Sequence, residues 1–184
     1  PGIVHRLDMD TSGVIVVAKN DRSLRHLQRQ FKHRMVDKRY LALVTGEIPQ
    51  AEGLIEAPIG RHPVHRKRMA VRTGGRPSRT RWHVLETYYD EQGVVFTLLE
   101  VHLLTGRTHQ IRVHFSWFGY PLCGDDTYAP QQVAGAAPRQ FLHARRLKVR
   151  HPRTGEEITF EAPLPDDLQR VLDSLKKASS SSTV

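Results

Sequence analysis

The 184-residue sequence carries 28 Lys and Arg against 19 Asp and Glu, a formal charge of +9. That length fits one domain with a real core, and its apolar runs stay short of the roughly 18 residues a membrane-spanning helix needs. The single cysteine, Cys123, excludes an internal disulfide and argues against a zinc–thiolate site, so a basic cytoplasmic protein with a polyanionic partner is expected.

The chain enters its most informative stretch at once. His5-Arg6-Leu7-Asp8-Met9-Asp10-Thr11-Ser12-Gly13 places a carboxylate, Asp8, on a tight polar turn beside a cation and small hydroxyls. The following run to Lys19 is apolar on both faces and predicts a central strand. A central strand this early leads us to expect further strands upstream. Asn20-Asp21 predicts the cap of a helix over 22–34, with Leu24, Leu27 and Phe31 as its apolar stripe. Residues 38–48 alternate Tyr40, Ala42 and Val44 with Leu41, Leu43 and Thr45, a strand pattern.

Between Ala57 and Leu85 there is no acid, but there are eight Lys and Arg, including Arg61, Arg66, Lys67 and Arg68. These cations sit among Gly and Pro, hence on loops and short strands (54–59 and 67–72) that can follow a phosphate backbone. Strands over 80–89 and 94–103 flank a hairpin turn at Asp90-Glu91-Gln92-Gly93. Thr105 or a neighbour is expected to cap a helix over 108–118, in which Thr108 and Arg112 share a face. A partly buried Arg112 needs an anionic partner, for which Asp8 and Asp10 are candidates. Strands over 142–149 and 157–161 and a helix opening at Pro165-Asp166-Asp167 complete the pattern. Strands come in runs, so the expected class is α+β, a mixed, mostly antiparallel sheet with flanking helices. One domain is expected over 1–178, followed by a disordered serine-rich tail at 179–184.

Three runs stand out together: H-R-L-D-x-x-T-S-G from His5, K-R-Y-L-A-L-V from Lys38, and T-G-R-T-H-Q-I-R-V-H from Thr105. With Pro121-Leu122-Cys123-Gly124-Asp125 and Leu142-His143-Ala144, they resemble the motifs of the Rlu-type ribosomal large-subunit pseudouridine synthases, over about residues 1–170. The resemblance implies an isomerase that converts specific uridines to pseudouridine, in rRNA or in tRNA, without cofactor or metal. It makes Asp8 the catalytic carboxylate and Tyr40 the residue that stacks on the base and acts as general base. Arg112 becomes the partner of Asp8, and Arg6 the residue that enters the RNA helix as the base flips out. Arg61, Arg66, Lys67, Arg68, Arg107 and His109 complete the expected RNA-binding set. No membrane contact is expected, and a monomer is.

Taken singly, each residue has a plainer reading. Asp8 could brace a turn, Tyr40 could pack a strand, and Arg112 could serve a structural ion pair. His109 and His114 lie about 140° apart on a helix and suit no shared metal. A non-catalytic RNA-binding fragment or RNA-remodelling module is the competing class; a basic DNA-binding domain ranks third, without helix-turn-helix or zinc-finger spacing. The trio Asp8, Tyr40 and Arg112, which a pure binder has no need to keep, separates the first two.

Overall fold

The computed structural model describes residues 2–178, so the serine-rich tail at 179–184 lies outside the described residues. The chain begins with three short strands, β1 (Gly2–Ile3), β2 (Ser12–Gly13) and β3 (Val17–Ala18), before helix α1 (Asp21–Lys32). The central strand expected over 13–19 is therefore not formed. β2 joins the main sheet for two residues, parallel to the later strand that carries His143 and Ala144. The chain then turns away, and β3 pairs with β1, leaving Ile15 and Val17 exposed. Gly13 explains the departure. Its φ is +120°, and a Cβ there would strike the Ala144 carbonyl, so backbone meets backbone at this crossing.

Helix α1 starts where Asn20 Oδ1 accepts the Ser23 N–H at 2.9 Å. Its stripe packs Leu27 against Ala18, Val36, Leu147 and Val149, with Leu24 and Phe31 at the margin. β4 (Asp37–Thr45) follows, buried from Tyr40 to Val44. Next come β5 (Glu52–Glu56), a two-stranded arm of β6 (Ile59–Arg61) and β7 (Met69–Val71), and the long hairpin β8 (Arg79–Tyr89) and β9 (Val95–Leu103). Helices α2 (Gln110–Trp117) and α3 (Gln131–Ala134) precede β10 (Leu142–Arg150) and β11 (Glu157–Glu161), and α4 (Asp166–Ser174) and β12 (Lys176–Lys177) close the described chain.

The main sheet runs β11-β10-β4-β9-β8-β12, with β2 beside β10 and β5 beside β8. Its pairings are antiparallel apart from β2 with β10, so the domain is α+β as the strand runs imply. Period-two alternation divides β4 between two cores. Tyr40, Ala42 and Val44 face Leu99, Val101, Leu142 and the α2 residues Ile111 and Phe115. Leu43 faces Phe96, Leu98, Phe141 and Leu168 of α4. Helix α2 thus covers one face and α4 the other, and α1 flanks the β10 side.

Helix α2 starts later than its sequence pattern predicts. Thr108 precedes it, and its N-cap is His109, in the left-handed region at φ +56°. Thr105 caps nothing; its hydroxyl donates to Gln110 Oε1 at 2.7 Å. The same oxygen accepts the Arg107 N–H at 3.0 Å. Gln110 Nε2 meanwhile donates to the Arg79 carbonyl and the Thr80 hydroxyl. One buried side chain so fixes the 105–109 loop to β8 in a way helix periodicity does not show.

Candidate active site

Asp8 opens a β-turn closed by the Thr11 N–H donating to the Asp8 carbonyl at 3.0 Å. Asp10 takes the turn's left-handed position at φ +66°, which Asp tolerates better than most residues. The turn is braced from a distant segment. Gln140 Nε2 donates to the Met9 carbonyl at 2.8 Å and to the Thr11 hydroxyl at 3.0 Å. Arg139 donates to the Asp10 carbonyl at 2.7 Å while Asp167 holds its guanidinium. His143 Nε2 faces the Ala162 carbonyl and so carries the proton, leaving Nδ1 to accept the Ser12 hydroxyl at 2.9 Å. The backbone under Asp8 is thereby rigid, while its carboxylate has no hydrogen bond or ion pair among the described residues.

Upstream of the turn, His5 is pinned as a neutral imidazole. Its Nε2 accepts the Val16 N–H at 3.0 Å, and its ring stacks on Phe31 at 4.7 Å. Burial, and then the charge of Lys38, lower its pKa to about 4. Protonation would cost it the acceptor role, so the pinned state and the neutral state coincide.

Beside Asp8 opens a cleft of about 660 Å³. Tyr40 lines its floor from β4, and Arg6, Arg107 and Thr108 line its walls. The Tyr40 ring is 8% exposed. Burial, and then the nearby Asp8 charge, raise its phenol pKa well beyond the ordinary tyrosine range, so the hydroxyl stays protonated. Its oxygen has no protein partner among the described residues. Asp8 and Tyr40, which lie far apart in sequence, therefore converge on one space.

Arg112 differs from its expected pairing. Its guanidinium is held by Asp125, with Nε to Oδ2 at 2.7 Å and a second nitrogen to Oδ1 at 2.8 Å, and the pair is almost wholly buried. No contact of Asp8 with Arg112 lies within ion-pair distance. Asp8 acts on Arg112 through its field: burial opposes the guanidinium charge, while the bonds and charge of Asp125 and then the charge of Asp8 raise its pKa. The reason is geometric. Asp125 Oδ1 is fixed by the N–H groups of Thr127 and Tyr128, presenting a preformed fork to the guanidinium. Asp10, the other candidate partner, faces outward on its turn.

Tyr128 extends this cluster. The Arg112 guanidinium lies 5.0 Å from the centre of its ring. Its hydroxyl accepts the Met69 N–H at 2.9 Å, leaving its own proton for His109 Nδ1 at 2.7 Å. Burial first, and the Arg112 and Arg6 cations after it, keep His109 below the ordinary histidine pKa, against the pull of Asp8 and Asp125. Tyr128 therefore bridges the Arg112 pair, His109 and the β6–β7 arm.

The remaining expected RNA contacts fall in two places. Arg6 is exposed at the cleft, and Arg107 lines it while donating to the Pro77 carbonyl at 3.3 Å. Arg61, Arg66, Lys67 and Arg68 are exposed on the arm, whose tip is tied by His62 Nδ1 accepting the N–H groups of Val64 and His65. Sequence reasoning missed Asp125, Tyr128, Arg139 and Gln140. Asp125 had a signal in the Gly-Asp pair of the 121–125 run. Arg139 and Gln140 had none, since each acts on residues about 130 positions upstream. Among the described residues, no group of three or more His, Cys, Asp or Glu is arranged to hold a metal ion.

Fold and cleft together define a basic α+β domain that sets one acid and one buried tyrosine in a cleft rich in Lys and Arg. The chain belongs to the RNA pseudouridylate synthase family, whose description matches residues 1–117. It is 51% identical over 180 residues to a Chloroflexus aurantiacus protein described as an uncharacterized RNA pseudouridine synthase, covering 98% of this chain and 55% of that one. It is 46% identical over 188 residues to ribosomal large subunit pseudouridine synthase D of Nitrosomonas europaea, covering 98% and 53%. The chain thus spans about half the length of the curated relatives it matches. Among solved structures it resembles human RNA pseudouridylate synthase domain containing 1, with a TM-score of 0.84 at 33% identity, over 96% of this chain and 74% of that one. Human RNA pseudouridylate synthase domain containing 4 shares the fold at 24% identity, with a TM-score of 0.77 over 95% and 76%.

Proposed function

We propose that this domain isomerises uridine to pseudouridine in RNA, with Asp8 as the catalytic carboxylate. The observation that carries this reading is the placement of Asp8: a rigidly mounted, unpaired carboxylate next to Tyr40, in a cleft that it shares with six Lys and Arg and no other acid. The reaction breaks the bond from uracil N1 to ribose C1′ and forms one from C5 to C1′. The C5 proton is lost and N1 gains one, so atoms and electrons balance without an outside oxidant or reductant.

Asp8 can act at C1′ or at uracil C6, or offset positive character on the sugar. Tyr40 supplies a flat ring for the detached base and, as a protonated phenol, a group through which a proton can pass. The Arg112–Asp125 pair lies behind Asp8 and lends it field rather than a direct bond. Arg6, exposed at the cleft, would fill the gap left by the flipped base. Relatives named ribosomal large subunit pseudouridine synthase D favour large-subunit rRNA as the substrate; tRNA is the second candidate, and a cytoplasmic monomer accompanies that reading.

The test is Asp8→Asn, assayed for pseudouridine formation on rRNA transcripts and for RNA binding. Product formation is expected to vanish while affinity stays within about threefold, since one carboxylate among many cations contributes little to phosphate binding. Product at the wild-type rate would remove Asp8 from the chemistry. The cleft would then serve a binding module.

A further inference from the structure

Six cations line the cleft, namely Arg6, Lys32, Arg34, Lys38, Arg76 and Arg107, against one acid, Asp8. Lys38 on β4 is half-buried, as is Arg107, whereas Arg6, Lys32, Arg34 and Arg76 are exposed. Strand alternation sorts the neighbours of Lys38. Asp37 and Arg39 point to the opposite face, where Asp37 binds Arg39 at 2.7 Å and also engages His102 and Arg146. Lys38 and Tyr40 share the cleft face. Lys38 Nζ lies against Gly106, 3.3 Å from where a Cβ would stand, and it has no hydrogen bond or ion pair among the described residues. Burial first, and then the charges of Arg107 and Arg34, hold its pKa down to about 8. Lys38 in turn acts on His5 and His102, both of which also lie below the ordinary histidine value.

A half-buried, unpaired ammonium that shares its cleft with two guanidinium groups is a costly arrangement unless an anion completes it. The cleft's own acid does not do so, because Asp8 makes no ion pair with Lys38. The strand repeat gives the distance scale. Positions 38 and 40 are about 6.6 Å apart along β4, roughly one ribose between a base and its phosphate.

We propose that Lys38, with Arg34 and Arg107, forms an anion slot for a backbone phosphate flanking the uridine whose base lies on Tyr40. This deepens the isomerase reading and rests on it for the identity of the base. The slot would make the phosphodiester beside the target, rather than distant sequence, the fixed reference from which the base is placed. Gly106 fits the role, since any larger residue there would press on the ammonium.

The experiment uses uridine 3′,5′-bisphosphate as probe, with uridine and inorganic phosphate as controls, at constant ionic strength. Binding is followed by NMR titration of the wild-type chain, Lys38→Met and Lys38→Arg. The bisphosphate is expected to bind wild type at least about tenfold more tightly than uridine does; this advantage should fall to within about twofold in Lys38→Met and return in part in Lys38→Arg. Thermal unfolding supplies a second readout. Removing an unpaired, half-buried cation should leave the melting temperature of Lys38→Met equal to or above that of wild type, whereas a purely structural lysine would lower it. A bisphosphate advantage that survives in Lys38→Met, or is missing from wild type, overturns the slot. Either result leaves the Asp8 chemistry standing, because product formation from RNA is measured separately. Loss of product in Asp8→Asn together with an intact slot is the outcome both proposals require.

Discussion

At the scale of single residues, the site is organised by which charges are satisfied. Arg112 and Asp125 satisfy each other, whereas Asp8 and Lys38 have no protein partner within ion-pair distance. The buried pair is therefore structural as well as electrostatic. Arg112→Met would leave the Asp125 carboxylate buried with two backbone N–H groups alone. Breaking such a pair from one side costs about 3–5 kcal/mol, so urea denaturation of Arg112→Met should show a loss of that size and reduced product formation. Single changes at Arg66, Lys67 or Arg68, which are exposed on the arm, should shift stability by about 0.5 kcal/mol or less. A stability loss below about 1 kcal/mol for Arg112→Met would show that the pair contributes little to the fold. The sequence revealed that Arg112 needed an anion but not which one. Asp125 reaches it because residues 119–128 fold back under α2, and nothing in helical spacing reports a loop's return.

At the scale of elements, the β6–β7 arm is tied to the site through Tyr128. The hydroxyl that accepts the Met69 N–H also donates to His109, so arm and Arg112 cluster share one hinge point. Tyr128→Phe deletes that hydroxyl while leaving the ring beneath Arg112. Amide exchange at Met69 should accelerate by at least tenfold, and affinity for RNA should fall about three- to tenfold, with kcat changed less than KM. Unchanged exchange at Met69 would show that the arm is held by β6–β7 pairing and its turn alone. The long elements were legible in the sequence. α1, β4 and the β8–β9 and β10–β11 hairpins fall within a few residues of their patterns, because each has a clear period and a capping or turn residue. The apolar run 14–18 was misread, since its side chains are shared between a crossing over β10 and a pairing with β1. The start of α2 was misread because Gln110 spends its side chain on the preceding loop.

At the scale of the whole molecule, the charge of +9 is unevenly spread, with the arm and the cleft carrying most of the uncompensated cations. Binding to RNA should therefore weaken steeply with salt. If about six phosphates are neutralised, affinity should fall on the order of a thousandfold between 50 and 200 mM monovalent salt, readable as the slope of log Kd against log salt. A slope near zero would exclude phosphate contacts as the source of affinity. The α+β class was legible from strands arriving in runs. The sheet order was not, because β10 inserts beside β4 across about a hundred residues of chain, and local patterning carries no record of such a distance.

Gly124 gives the site one further property. Its φ of +76° and the Arg139 carbonyl where its Cβ would be leave room for hydrogen alone. The residue after it, Asp125, anchors Arg112, while Arg139 and Gln140 prop up the Asp8 turn. The segment that anchors Arg112 and the segment that props the Asp8 turn thus abut at Gly124, against the Arg139 carbonyl and the Ala137 methyl, with no long side chain between them. A side chain added at Gly124 would therefore press on both segments at once. Change is tolerated more readily at the exposed cations of the arm, which lie away from this junction.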